Sequence, residues 1–219
     1  MVRAVITADL VGSSEYTEGD WMTINSKIQN FIHKWNKEEH TEYFAYRGDS
    51  LQGLLKDISQ ALNHAVYLKA YIKSAELYAS KRASMADIRI SIGIGEIKYR
   101  GESIKQSNGP AFQNSGRTLD RLSKKGQTIA LTTPDEEMNK EWDVIMTLLE
   151  ELMERWTIAS AEVVWRILEG KEDVEIAEEL EISRSAVSQR KKQAGWDAIL
   201  KTINYYQFRF NQETYGNLS

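Results

Sequence analysis

Residues 3 to 14 read Arg3-Ala4-Val5-Ile6-Thr7-Ala8-Asp9-Leu10-Val11-Gly12-Ser13-Ser14. Residues 3–11 are mostly apolar and β-branched and a glycine-serine turn follows, so the stretch reads as a buried strand that stops at a turn. It leaves a carboxylate, Asp9, near the strand tip. Outward from it, Trp21, Ile24, Ile28, Phe31, Ile32 and Trp35 recur at three-and-four spacing, an amphipathic helix that Asp20 can cap. Tyr43 to Arg47 and Leu51 to Leu55 flank Gly48-Asp49-Ser50, which fits a β-hairpin with a second carboxylate at its tip. Asp57 opens a helix with Ile58, Leu62, Ala65, Ile72, Ala75 and Ala79 on its apolar stripe, and alternating Ile88, Ile90, Ile92 and Ile94 mark a strand. A helix over Pro110 to Lys124 and a strand over Thr128 to Leu131 complete an α+β domain.

That domain is assigned to residues 1–135, ending at Pro134 and the acidic Asp135-Glu136-Glu137. Beyond it only helical patterns occur: residues 136–156 form a straight helix or a mere connection, and residues 157–210 form an all-α unit. There is no internal repeat or low-complexity tract.

The chain has 219 residues, 42% of them hydrophobic and 27% charged, a composition able to bury a core. No apolar run approaches the roughly 20 residues that cross a bilayer, and the N-terminus lacks a cleavable signal pattern, so a cytoplasmic protein without membrane contact is the simplest reading. The absence of cysteine removes disulfides, thiolate zinc sites and cysteine nucleophiles, while His33, His40 and His64 are too scattered for a metal cluster. The net charge of -4 conceals an asymmetry: Arg184, Arg190, Lys191, Lys192 and Lys201 crowd a short region directly after an acidic one.

Asp9 and Asp49 each sit where a strand meets a turn. Carboxylates brought together from adjacent strands make a hard-oxygen site for Mg2+ or Mn2+, ions commonly shared with substrate phosphates. Gly12, Ser13 and Ser14 follow Asp9 as a small-residue turn whose backbone N–H groups can hold phosphate. Gly93-Ile94-Gly95 lacks the third glycine of a dinucleotide fingerprint and reads as close strand packing.

These segments resemble class III nucleotide cyclases: Asp9 to Ser14 is similar to their first metal motif, Gly48-Asp49 to their second, and Gly109 to Arg117 to the helix that carries a catalytic Asn and Arg. Arg117 matches, and Gln113 stands in place of the Asn. The resemblance covers roughly the first 130 residues and implies a ferredoxin-like, cyclase-like domain, a nucleotide ligand or substrate, Mg2+ or Mn2+, and a homodimer in which Arg117 reaches the partner's carboxylates. The base-reading Lys and Asp of purine cyclases are replaced by Ala45 and Gln106. Arg47, two residues along the strand from Ala45, can partly replace the missing cation.

Asp173 to Arg190 has the apolar pattern of a helix-turn-helix, with Ile176, Leu180, Ile182 and Val187 as its core, Ala177 at the close approach and Ser183 as the cap of the second helix. It resembles the DNA-binding unit of bacterial regulators, which implies a double-stranded DNA partner. Arg184, Ser185, Ser188, Gln189, Arg190, Lys191 and Lys192 are the candidates to meet bases or phosphates. Glu181 occupies the turn position often taken by Gly, so a left-handed backbone is expected there. The order of the two parts resembles the SatD family. The leading expectation is a DNA-binding regulator that senses a nucleotide with a divalent metal. The alternatives are an active cyclase fused to a DNA reader and an inert dimerisation scaffold.

Overall fold

The computed structural model describes residues 2–37, 41–46, 48–77 and 85–211. Its sheet is built around β1 (Val2–Leu10), in which Ala4, Ile6, Ala8 and Leu10 are buried on one face by the alternation of the strand. β2 (Thr41–Tyr46) and β3 (Ser50–Leu55) form the expected hairpin, followed by β4 (Ile88–Glu96) and β5 (Ile129–Thr132). The strand order is β2-β3-β1-β4-β5, antiparallel throughout except for β4 and β5. Helices α1 (Glu18–Trp35) and α2 (Ala61–Lys73) connect β1 to β2 and β3 to β4, giving two interleaved split βαβ units, the ferredoxin-like order. A third helix, α3 (Pro110–Lys125), then leads to β5.

The two faces of the sheet differ. Register aligns Ala4, Ile6, Ala8 and Leu10 with Ile94, Ile92, Ile90 and Ile88, and this apolar face packs with Ile24, Ile28 and Phe31 of α1 and Leu62, Ala65 and Leu68 of α2. On the opposite face Val5 lies across from Gly93, Thr7 from Ser91 and Asp9 from Arg89. Helix α3 seats itself there because Gly93 and Gly95 have no side chain: a Cβ on Gly93 would lie 2.4 Å from both Ala111 O and Ser115 N. The glycine pair is therefore a packing device, as its spacing implies.

Two helix starts differ from expectation. Thr17, not Asp20, caps α1: its Oγ1 accepts from Asp20 N at 3.3 Å and donates to Asp20 Oδ2 at 2.8 Å, so Asp20 is a buried member of the first turn. Asp57 caps a short 3-10 turn over Ile58–Gln60, with α2 starting at Ala61. Ala79 and His40 lie outside the described residues.

All five remaining elements are helices: α4 (Glu136–Glu154), α5 (Ile158–Leu168), α6 (Asp173–Glu179), α7 (Arg184–Ala194) and α8 (Trp196–Arg209). Residues 136–154 are thus one regular helix. Asp135 is its N-cap, with Oδ1 accepting from Glu137 N and Met138 N, and its buried face of Met138, Trp142, Met146, Leu149 and Met153 packs over β5. α5 lies against α2, where Tyr67 and Tyr71 meet the Trp165 ring edge-on at 6.4 and 5.3 Å. Near the end of the chain Tyr206 donates from its hydroxyl to Ile58 O at 3.0 Å. One continuous apolar cluster runs from the α2 face of the sheet through Trp142, Met153 and Trp156 to Trp196, Ile203, Tyr206 and Phe210. A small separate cluster of Val163, Ile176, Ala177 and Val187 holds α5, α6 and α7 together.

Candidate functional site

The register of β1, β3 and β4 decides what surrounds Asp9. Ser50 of β3 and Arg89 of β4 are its lateral neighbours, and Leu10 N donates to Asp49 O at 2.9 Å, which ties the hairpin tip to the end of β1. Asp9 Oδ2 accepts from Arg89 Nη1 at 3.1 Å, whereas Asp9 Oδ1 is buried without a hydrogen-bond partner among the described residues. Partial burial pushes the Asp9 carboxyl above its ordinary pKa, an effect that Arg89 opposes and that the negative charges of Asp49 and Asp120 reinforce. Ser13 Oγ donates to Asp49 Oδ2 at 3.4 Å. Gly12 is left-handed with φ 67°, which lets the chain turn directly into the single 3-10 turn Ser13–Glu15. Asp9, Asp49, Gly12, Ser13 and Ser14 are thus gathered at one end of the sheet.

Two carboxylates with one unsatisfied oxygen fit an ion that arrives with phosphate oxygens of its own, as Mg2+ does. They are not a self-sufficient cage: among the described residues no group of three or more His, Cys, Asp or Glu side chains gathers for a metal. Inward from Asp9 the open face stays polar. Gln52 Nε2 donates to Thr7 Oγ1 at 3.2 Å, and Thr7 Oγ1 donates to Ser115 Oγ at 2.9 Å, fastening α3 to β1.

Other expected members stand apart within one chain. Gln113 and Arg117 are exposed one turn apart on α3, and no hydrogen bond or ion pair joins either to Asp9 or Asp49 among the described residues. Gln106 ends the 3-10 turn Ile104–Gln106 beyond the last residue of β4, whereas Asp9 lies across from its second residue, so the two occupy opposite ends of the strand. Arg47 lies outside the described residues. Arg89 was missed by the sequence reading. Its signal was present: period two puts it on the face opposite Ile88 and Ile90, a lone cation in an apolar strand, but only the pairing register reveals its partner.

Behind this site Lys69 is fully buried, its Nζ donating to Ile88 O at 2.9 Å and lying 2.7 Å from Asp87 Oδ1, while Lys73 Nζ meets Asp87 Oδ2 at 3.3 Å. Burial pushes the Asp87 carboxyl up, but the two ammonium groups outweigh it and hold the pKa below the ordinary value. Asp87 O accepts from Val11 N at 2.9 Å, so this ion cluster anchors the backbone that leads into Gly12.

On the helical side, Ser183 Oγ caps α7 by accepting from Ala186 N at 3.2 Å. Val187 and Ala194 face inward, while Arg184, Ser185, Ser188, Gln189 and Lys192 are exposed. Arg190 and Lys191 are instead engaged within the chain, Arg190 with Glu162 at 3.7 Å and Lys191 with Asp173 at 2.9 Å. The turn before α7 contains Glu181 with φ 52°, the one non-glycine residue of positive φ among the described residues.

Solved structures with a similar chain course include the GGEEF domain of a diguanylate cyclase from Vibrio cholerae, at 9% identity, covering 62% of this chain and 85% of that one with a TM-score of 0.42. The guanylyl cyclase domain of the RhoGC fusion protein from the aquatic fungus Blastocladiella emersonii is 19% identical over 60% of this chain and 80% of that one, with a TM-score of 0.43. The corresponding domain from Catenaria anguillulae in complex with GTP is 18% identical over 60% and 78%, with a TM-score of 0.40. No curated protein matches the chain. No helix among the described residues is long and apolar enough to cross a membrane. The SatD family model matches residues 4–207, nearly the whole length of sheet and helices described above, and the chain belongs to the SatD family.

Proposed function

We propose that this protein is a DNA-binding regulator, acting in the cytoplasm as a homodimer, whose sheet-bearing half binds a nucleotide together with Mg2+ or Mn2+. The observation that carries the reading is the outer face of α7. Arg184, Ser185, Ser188, Gln189 and Lys192 form one exposed stripe on a helix whose inner face is locked by Val187 and Ala194. α6 and α7 act as a helix-turn-helix. Arg184 and Lys192 meet phosphates, and Ser185, Ser188 and Gln189 reach base edges. Arg190 and Lys191, held by Glu162 and Asp173, orient α7 and contribute less to DNA directly.

In the sheet half, Asp9 and Asp49 would hold the ion, which would supply neutralisation of phosphate charge. Gly12, Ser13 and Ser14 face the phosphates, and Arg89 keeps one oxygen of Asp9 fixed, while the other is buried without a hydrogen-bond partner among the described residues. Arg47 and Gln106 are proposed to meet the base, Gln106 from the second protomer, since it lies at the far end of β4 in its own chain.

Anisotropy of a labelled duplex titrated over a salt series tests the reading. Each phosphate contact contributes a slope of about 0.9 in log K against log salt, so Arg184→Ala with Lys192→Ala lowers the slope by about 2. An unchanged slope removes the DNA assignment. Adding nucleotide and Mn2+ changes the affinity of the wild type, and Asp49→Ala abolishes that response while retaining DNA binding. A second reading, an active cyclase, is favoured by the exposed Arg117 four residues after Gln113, available to a partner's carboxylates. Cyclic product and pyrophosphate formed by wild type and lost in Arg117→Ala would establish it; the absence of product from every nucleoside triphosphate would remove it.

A further inference from the structure

The end of the sheet remote from Asp9 also carries a concentration of charge. Arg3 lies six residues before Asp9 on β1, about 20 Å along an extended strand, and is paired in register with Gly95 at the far end of β4. Lys56 follows the last residue of β3, and Ile97 and Arg100 follow β4. Arg3, Leu54, Lys56, Ile97 and Arg100 line a cavity of about 360 Å3. We infer that this cavity is a second binding site, separate from the Asp9 site, for a phosphate-bearing small molecule.

Among the described residues three cations and no carboxylate line the cavity, with Glu42 paired to Arg100 beside it, and two of the cations are guanidinium forks, which match phosphate oxygens with paired N–H donors. The cavity falls within the size range of small-molecule sites, and Leu54 with Ile97 supplies an apolar wall for the body that carries the phosphate. Both forks are oriented in advance. Arg3 Nη1 donates to Val2 O at 3.0 Å and to Lys56 O at 3.3 Å. Arg100 Nη2 donates to Glu42 Oε2 at 2.6 Å, and Glu42 Oε1 is itself fixed by Ile104 N at 2.8 Å, leaving further N–H groups of Arg100 for a ligand. Burial and the neighbouring charge of Arg100 both hold Arg3 below its ordinary pKa, a mutual repulsion that a bound anion relieves.

Pyrophosphate titrated calorimetrically into the full chain in EDTA tests the site, since without metal the Asp9 and Asp49 carboxylates repel the probe. Saturable binding is expected, weakened roughly tenfold or more by Arg100→Gln and by Arg3→Gln, and unchanged in Asp9→Asn with Asp49→Asn. Arg100 is half exposed in a loop, and amide resonance shifts in the unaltered protein, concentrated at Arg3, Lys56 and Ile97 to Arg100, supply a readout that needs no variant. Absence of binding, shifts elsewhere, or loss of binding only in the Asp9 and Asp49 variant would overturn the proposal. Citrate binding as tight as pyrophosphate would overturn the phosphate assignment.

Discussion

Two single residues carry measurable strain or charge. Glu181 adopts φ 52° in the exposed turn between α6 and α7, a conformation that costs an L-residue with a Cβ about 1 kcal/mol or more. Glu181→Gly removes that cost and gives back part of it through a more flexible unfolded chain, so a net gain of about 0.5 to 1 kcal/mol is expected, read from denaturant unfolding. His64 is buried against the Trp35 ring at 3.9 Å, with Tyr43 Oη 3.0 Å from its Nδ1. Burial disfavours its charged form and lowers its pKa from 6.5 to about 3. The unfolded chain therefore takes up a proton between pH 6.5 and about 3 that the folded chain refuses. Stability contributed by neutral His64 is complete above pH 6.5 and is lost as pH falls, at up to about 1.4 kcal/mol per pH unit. His64→Gln should flatten the stability profile between pH 4 and 6, whatever it costs in packing, and an equally steep profile would show that another group titrates there.

At the scale of elements, the seat of α3 on β4 is decided by absent atoms. Gly93→Ala drives a Cβ against the backbone of Ala111 and Ser115, neither of which can move without shifting the helix, so a loss of about 2 kcal/mol is expected. Gly116→Ala, on the same helix with nothing within 4 Å of the added Cβ, should instead gain about 0.5 to 1 kcal/mol. Thermal melts of the two variants should move in opposite directions. These elements were largely legible in sequence because each obeys a local rule: alternation for β1 and β4, three-and-four spacing for α1, a glycine turn between β2 and β3. Asp9 and Asp49 were legible for the same reason, as carboxylates at strand tips. Arg89 and the cluster of Lys69, Lys73 and Asp87 were not, because they depend on which strands become neighbours across long separations, and period two states a face without naming what lies beside it. The cap of α1 was misplaced because Thr17 and Asp20 both offer a capping oxygen, and Asp20 is drawn into the first turn instead.

For the whole molecule, the acidic stretch after Pro134 looks like a boundary, yet the core does not stop there. Tyr206 donates to Ile58 O at 3.0 Å, and Lys34 and Tyr67 from the sheet half both reach Glu169 at the end of α5, at 2.5 and 2.8 Å. A chain cut after residue 135 leaves the outer face of α2 bare and removes the helices that cover β5, so it should lack native near-ultraviolet dichroism. The intact chain should unfold in a single calorimetric transition with equal van't Hoff and measured enthalpies. Two separated transitions would show that the cluster joining the halves is too weak to couple them. If the coupling holds, the ligand proposed for Asp9 and the duplex proposed for α7 would act on one cooperative body, and their influence on each other would be reciprocal.

The hydrogen bond from Tyr206 to Ile58 spans 148 residues, and this has a consequence for synthesis on the ribosome. The segment that supplies the acceptor emerges 148 residues before the donor. At about 5 to 20 residues per second, roughly 3 to 13 s separate completion of β5 from the arrival of α8. During that interval the outer face of α2 stays uncovered, a sticky surface that holdase chaperones select, and rare codons within α4 to α7 would lengthen its exposure without altering a single residue of the finished protein.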